Sequence, residues 1–303
     1  MTSLPTLFLN NLLPIFIVAG VGYLIADWLH IQPGNLSKIV FYVFGPCLVF
    51  SLISNSRLEG EEVLRVLAFA TIGAVLIALA GFLLGRALRL ERSLLAAVIL
   101  TSTFMNAGNF GMPVVSYAFG EAALAYAGLF FVCNNILTNT AGVVIASLGT
   151  TTLRKALGNL LTIPTLYALI LGFIVQQNGW RLPLPISRPI ELMGNASFAT
   201  MLLLLGLQLR SVKWSKKLKP LALASVLRLA AGPALAIGLS AILGLSGVAR
   251  QAGILESGMP TAVLTTVLAT EFKIEPEFVT SVVVVTTLIS AFTLTPLLAY
   301  LGG

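Results

Sequence analysis

Asn106 and Asn109 lie three residues apart in a stretch apolar enough to cross a membrane yet ill suited to an unbroken helix: TSTFMNAGNFGMPVVSYAF, residues 101–119. Their amides can donate to a carboxylate or, through oxygen, coordinate a cation. Gly108, Gly111 and Pro113 sit among them. Glycine is costly inside a helix, and proline lacks an N–H and clashes with the preceding turn. In lipid every freed backbone group must find a partner, so such a stretch survives only against protein or a water-filled cavity. The spacing therefore predicts a broken transmembrane helix. Gly111-Met112-Pro113 recurs as Gly258-Met259-Pro260 inside another apolar stretch. From 27 Gly, 6 Met and 14 Pro, chance supplies this tripeptide at roughly one position in ten thousand, so composition explains the recurrence poorly. Proline suits the first turn of a helix, so Pro113 and Pro260 are each expected to open a second half-helix, with Gly111 and Thr261 beside them. The start of a half-helix presents unpaired N–H groups and a positive dipole end, an anion site that needs no basic side chain. The same Gly and Asn residues could serve helix packing and interhelical hydrogen bonds alone.

The following apolar segment carries Asn134, Asn135, Thr138 and Asn139. Asn135, Thr138 and Asn139 follow an i, i+3, i+4 pattern and form one polar stripe, which should face a water path or the protein interior. Asn135 and Asn139 are assigned to the substrate cavity, Asn134 less so. Glu256 and Arg228 are the charges deepest in apolar segments. An ionisable group at that depth is a functional hypothesis by default. Glu256, four residues before Pro260, could bind a cation, carry a proton, or pair with Arg228. Arg228 could instead face an anionic substrate or snorkel to the cytosolic side.

The elements that must position these groups are transmembrane helices. The chain is 57% hydrophobic and 10% charged, with mean hydropathy +0.98, against about 25% charged residues in soluble proteins. A helix needs about 20 apolar residues to span a bilayer. Ten segments qualify: 6–27, 37–55, 63–88, 93–119, 122–148, 160–178, 188–209, 218–244, 248–270 and 276–301. The fold class is therefore an all-α membrane protein of ten transmembrane helices. The connections are too short for a soluble domain, and no Ser/His/Asp set or metal-spaced His/Cys cluster stands out, so neither an enzyme nor a nucleic-acid-binding protein is expected. No metal, no organic cofactor and no nucleic acid partner is called for. Cys47 and Cys133 read as small buried residues, and the N-terminus lacks a basic leader. The net charge of +7 follows from loops. With the N-terminus outside, twelve Lys and Arg fall inside: Lys38, Arg86, Arg89, Arg92, Arg154, Lys155, Arg210, Lys213, Lys216, Lys217, Lys219 and Lys273. Only Arg57, Arg65, Arg181, Arg188 and Arg250 fall outside. The positive-inside bias thus puts both termini outside a plasma (inner) membrane.

Five segments precede the short loop near Thr150 and five follow it. Because five is odd, the second half must be inserted upside down, giving repeats over 1–150 and 151–303. Pro14 and Pro164 match at an offset of 150, and the two Gly-Met-Pro at 147. Interrupted helices at corresponding positions of two inverted halves point to a substrate site near the midplane.

With these residues in view the chain resembles the auxin efflux carrier family, which includes bacterial carriers and the plant PIN proteins, and more distantly the bile acid sodium symporters. The resemblance rests on Asn106-Ala-Gly-Asn-Phe-Gly-Met-Pro113, Phe119-Gly-Glu-Ala-Ala, the second Met-Pro, and Ala269-Thr-Glu-Phe272. It implies that helices 4 and 9 cross at their prolines. It also implies a scaffold of helices 1, 2, 6 and 7, a transport domain of helices 3–5 and 8–10, and a homodimer in membrane lipid. Implied substrates are organic anions, auxin-like acids or small carboxylates, moved by alternating access. Glu256-Ser-Gly-Met-Pro260 is similar to the Glu-x-x-x-Gln that helps hold sodium in the symporters, with Pro260 in place of Gln. Na+ and H+ both remain open as coupling ions through Glu256. A sodium-coupled symporter and an uncoupled uniporter or channel for organic anions are the alternatives.

Overall fold

The computed structural model describes residues 3–148, 158–210 and 214–302. The joint between the two expected halves, with Arg154 and Lys155, and the stretch holding Lys213 lie outside the described residues. The described residues are almost wholly helical: α1 Leu4–Trp28, α2 Pro33–Ser54, α3 Gly60–Ala87, α4 Arg92–Thr103, α5 Ala107–Ala146, α6 Pro164–Gln177, α7 Leu184–Leu209, α8 Leu218–Ile242, α9 Gly247–Ser257, α10 Leu264–Glu271 and α11 Pro276–Leu301. No strand occurs among them; Met105 and Thr261 form one isolated antiparallel bridge. Seven of these helices are long and apolar enough to span a bilayer, and α4 and α6 are shorter apolar helices. The protein is thus an all-helical, multi-pass membrane protein.

Two expected segments are split. The fourth is α4 plus the first part of α5, separated at Phe104–Asn106; the ninth is α9 plus α10, separated by Gly258–Val263. α5 itself turns at Gly120, whose φ of 74° and ψ of −167° suit only glycine, where the fifth segment was expected to begin.

Proline shapes these helices differently from expectation. Wide turns precede Pro14, Pro46, Pro113 and Pro233, each ending two residues before the proline: Phe8–Leu12, Val40–Phe44, Ala107–Gly111 and Leu227–Ala231. In the third, Gly111 N–H donates to Asn106 O at 2.9 Å, a bond five residues back. A proline ring clashes with the carbonyl four residues earlier, and widening the turn relieves that clash without ending the helix. Pro113 therefore lies a turn inside its half-helix, which Ala107 opens. Pro260 lies in the gap itself, and Leu264 opens the other.

Helices approach where side chains are smallest. α1 crosses α7 at Gly22 and Gly206. A Cβ at Gly206 would run into the Ala19 carbonyl and lie 2.6 Å from the Tyr23 nitrogen. Such small-residue contacts let backbones meet where lipid supplies no hydrophobic drive between helices. Gly206→Ala should lower the melting temperature of the purified protein, since overpacking typically costs about 1–3 kcal/mol. Gly20→Ala, whose Cβ would meet nothing within 4 Å, should leave it unchanged.

Candidate functional site

The two gaps meet. Asn106 N–H donates to Pro260 O at 2.8 Å, and Ala262 N–H donates to Phe104 O at 2.9 Å. Thr261 Oγ1 donates to Thr101 O at 2.8 Å, while its own N–H is taken by Thr286 Oγ1 of α11 at 3.1 Å. Asn134 Nδ2 donates to Met105 O at 2.9 Å. Arg228 of α8 completes the set: Nη1 donates to Ser102 O at 3.0 Å and Thr103 O at 2.9 Å, and Nη2 donates to Ser257 O at 2.5 Å. In α9 the end carbonyls of Ile254 and Leu255 are taken by Gly258 N–H, and that of Glu256 by Met259 N–H. Helix ends that would otherwise present bare carbonyls to lipid are thereby satisfied. A hydrogen bond to a charged group is worth about 1.5–3 kcal/mol, so Arg228 is the strongest single tie across the gaps.

On the other side of this seam lies a cavity of about 130 Å³. Its wall from α5 is Ala107, Gly108 and Asn109, preceded by Met105 and Asn106; its wall from the second gap is Ala262, Val263 and Leu264. Both half-helix starts thus border one space. α2 closes it with Ser37, Val40, Phe41 and Gly45, α6 with Thr165, and α7 with Met201, Leu204 and Gln208. Phe131, Asn134, Asn135 and Thr138 of α5 and Val267 of α10 complete the lining, in which no charged side chain takes part among the described residues. Asn106 is buried and its Nδ2 has no hydrogen-bond partner; Thr165 Oγ1 and Gln208 Oε1 are likewise buried without one. Polar atoms left unpaired in an interior are uncommon and call for an explanation such as a ligand. Gly108 is required here because a Cβ would fall 2.5 Å from the Phe131 ring.

The expected site residues separate into two groups. Asn106, Asn109 and Asn135 line the cavity. Asn139 stands behind Asn135, its Nδ2 donating to Asn135 O and Oδ1 at 2.9 Å each, so it orients that amide. Gly111, Pro113, Pro260 and Thr261 are buried and do not line it. Pro260 and Thr261 join the gaps, Pro113 shapes the wide turn, and Gly111 admits Glu256, whose carboxyl oxygens would collide with a Cβ there. Glu256 is fully buried, both its oxygens lack a partner, and it too is absent from the cavity wall. Glu256 and Arg228 do not pair, so that one of the alternatives open to Glu256 is not realised. The guanidinium is drawn to three carbonyls at helix ends, which carry partial negative charge, rather than to the carboxylate. Arg228 is 1% exposed, so it neither snorkels nor faces the cavity.

Of Phe104, Phe110, Tyr117 and Phe131, only Phe131 lines the cavity. Phe104 is buried elsewhere, Phe110 packs edge-on to Phe16, and Tyr117 is exposed. Thr165 and Gln208 were not anticipated. The available signals were a Thr directly after Pro164 and a lone Gln near the end of the seventh apolar segment.

A cavity walled by the gaps of two interrupted helices, inside a multi-pass bundle, is the arrangement expected of a membrane transport protein. The chain belongs to the membrane transport protein family that contains the auxin efflux carriers; the family's sequence profile matches residues 7–150 and again 147–298. It is 26% identical over 262 residues, 86% of each chain, to an uncharacterized transporter of Methanothermobacter thermautotrophicus. It is also 26% identical over 268 residues to an uncharacterized transporter of Methanocaldococcus jannaschii, covering 84% of this chain and 85% of that one.

Asn134→Ala leaves the Met105 carbonyl unpaired in the interior and should destabilise the protein by about 1–3 kcal/mol. Asn109→Ala, at a partly exposed position on the cavity wall, should leave stability within about 0.5 kcal/mol of the parent. Thermal melting of both variants in detergent checks the contrast.

Proposed function

We propose that the protein is a secondary transporter of small organic anions that works by alternating access, with the anion held in the cavity between the two gaps. The observation that carries this reading is the buried, unpartnered Asn106 Nδ2 beside two half-helix starts, in a cavity that no charged side chain lines among the described residues. An anion entering there meets outward N–H groups at Ala107–Asn109, the positive dipole ends of both half-helices, and the amides of Asn106, Asn109 and Asn135. A cation would meet the same dipoles with the wrong sign. The volume of about 130 Å³ lies below the roughly 300 Å³ at which drug-sized pockets begin, which favours a small carboxylate over a bulky one.

The architecture that serves this reading is ten membrane segments in an inverted five-plus-five repeat, over 1–150 and 151–303. Helices 1, 2, 6 and 7 of that count form a scaffold, and helices 3–5 and 8–10 a moving transport domain. The cavity has one wall on each: α2, α6 and α7 on the scaffold side, α5 and the second gap on the other. A second cavity, of about 640 Å³, is lined by Ser51, Asn55 and Arg57 near the far end of α2 and by Glu121 and Glu191; it offers an access route from the opposite end. The protein would sit in the inner membrane with both termini outside, as a homodimer.

Glu256 supplies coupling, with the proton as the coupling ion. Its carboxyl oxygens are packed against Gly111 at the first turn of the half-helix that faces the anion and have no partner to compete for a proton. Charging or neutralising that carboxyl changes the field at the cavity through a single turn of helix.

Carboxylate uptake into proteoliposomes should saturate, show counterflow, and respond to an imposed pH gradient. Asn106→Ala should remove carboxylate binding while the protein still folds; unchanged affinity in that variant would sink the site assignment. Glu256→Gln should keep binding and lose the response to the pH gradient. Flux that never saturates would favour a channel, and sodium dependence abolished by Glu256→Gln would favour a sodium symporter.

A further inference from the structure

Arg228 occupies a position that its chemistry alone does not explain. A guanidinium buried to 1% exposure in a membrane bundle is expensive unless it replaces something the fold requires. It bonds the Ser102 and Thr103 carbonyls, at the end of α4, and the Ser257 carbonyl, at the end of α9. Both helices point the negative end of their dipole at it. The neighbourhood is shaped to admit it: Gly232, one turn further along α8, would with a Cβ come within 2.6 Å of Nη2 and 2.8 Å of Ser257 O. The remaining end carbonyls are taken by the Thr261 hydroxyl and by backbone N–H groups. Only the three that face Arg228 depend on a cation.

In transporters built on interrupted helices, converging half-helix C-termini and unwound carbonyls are where a coupling cation is coordinated. We propose that the Arg228 guanidinium is a resident cation, a covalently tethered substitute for a bound metal ion at the meeting of the two half-helix C-termini, and that the seam consequently needs no sodium. A tethered cation cannot leave during the cycle, so this locus holds the two gaps together permanently instead of sensing an ion gradient. The inference goes beyond the transport reading and does not depend on which solute is carried.

The test uses purified full-length protein in detergent without substrate, melted in sodium, potassium or choline chloride at equal ionic strength. The wild type should melt at one temperature in all three salts. Arg228→Ala should melt several degrees lower and recover part of that loss, saturably, with added methylguanidinium, which can refill the carbonyl set, but not with choline. Arg228→Lys, which keeps a positive charge, should lie well above Arg228→Met, which keeps only bulk; this pair decides the matter if Arg228→Ala cannot be purified. A wild type stabilised saturably by sodium over potassium and choline would overturn the proposal. So would Arg228→Met melting at or above Arg228→Lys, or an Arg228→Ala that methylguanidinium does not restore. Because no solute is present, failure here is distinct from failure of the anion reading.

Discussion

Backbone groups inside a bilayer have no water to fall back on, and a helix that stops halfway across exposes several at once. This chain stops two helices, after Thr103 and after Ser257, and resolves both problems with each other. Main-chain bonds run between the gaps at Asn106–Pro260 and Phe104–Ala262, the Thr261 hydroxyl and the Asn134 amide reach single carbonyls, and Arg228 collects three more. The geometry of the rest follows from this seam. Helices α5, α8 and α11 must pack against it because their side chains are its partners. Gly111 and Gly232 must lack side chains because Glu256 and Arg228 need the room.

Satisfying the carbonyl ends leaves the opposite ends free. Half-helix C-termini are consumed in the seam, while half-helix N-termini border the cavity with their N–H groups and positive dipole ends. Polarity is therefore built into the site by chain direction rather than by charged residues. Under the proposed anion reading, a lysine or arginine on the cavity wall would bind the anion more tightly but oppose its release, whereas partial charges fixed in the backbone suit a site that loads and unloads. The charged groups of the transmembrane core, Arg228 and Glu256, are both held off the cavity wall. One is fixed by carbonyls, and the other has no partner at all.

Much of this was legible in the sequence, for physical reasons. Gly, Asn and Pro crowded into apolar stretches favoured interruption over helix packing alone; the second Gly-Met-Pro lies in its gap, while the first begins five residues past Asn106, inside α5. Asn106, Asn109 and Asn135 were legible because a polar amide has few reasons to lie in lipid. The start of each half-helix was misplaced because proline does two things in a membrane helix. It can open one, or it can widen the preceding turn and let the helix run on, as before Pro113; local sequence does not separate the two. The partners of Arg228 were not legible for a related reason. Opposite charges invite pairing on paper, but the carbonyls freed by the gaps become visible only once α4, α8 and α9 are in place. Thr165 and Gln208 reach the cavity from helices distant in sequence, so tertiary packing alone brings them there.

The central claim is that the two gaps create a site for negative charge without any charged side chain. Thermal-shift measurements on purified protein with small carboxylates and with their uncharged primary amides, matched in size, test it most directly, because a ligand stabilises the state it binds by mass action. The account predicts a saturable upward shift with at least one carboxylate and none with its amide. Equal shifts from acid and amide, or no shift with any carboxylate, would contradict it.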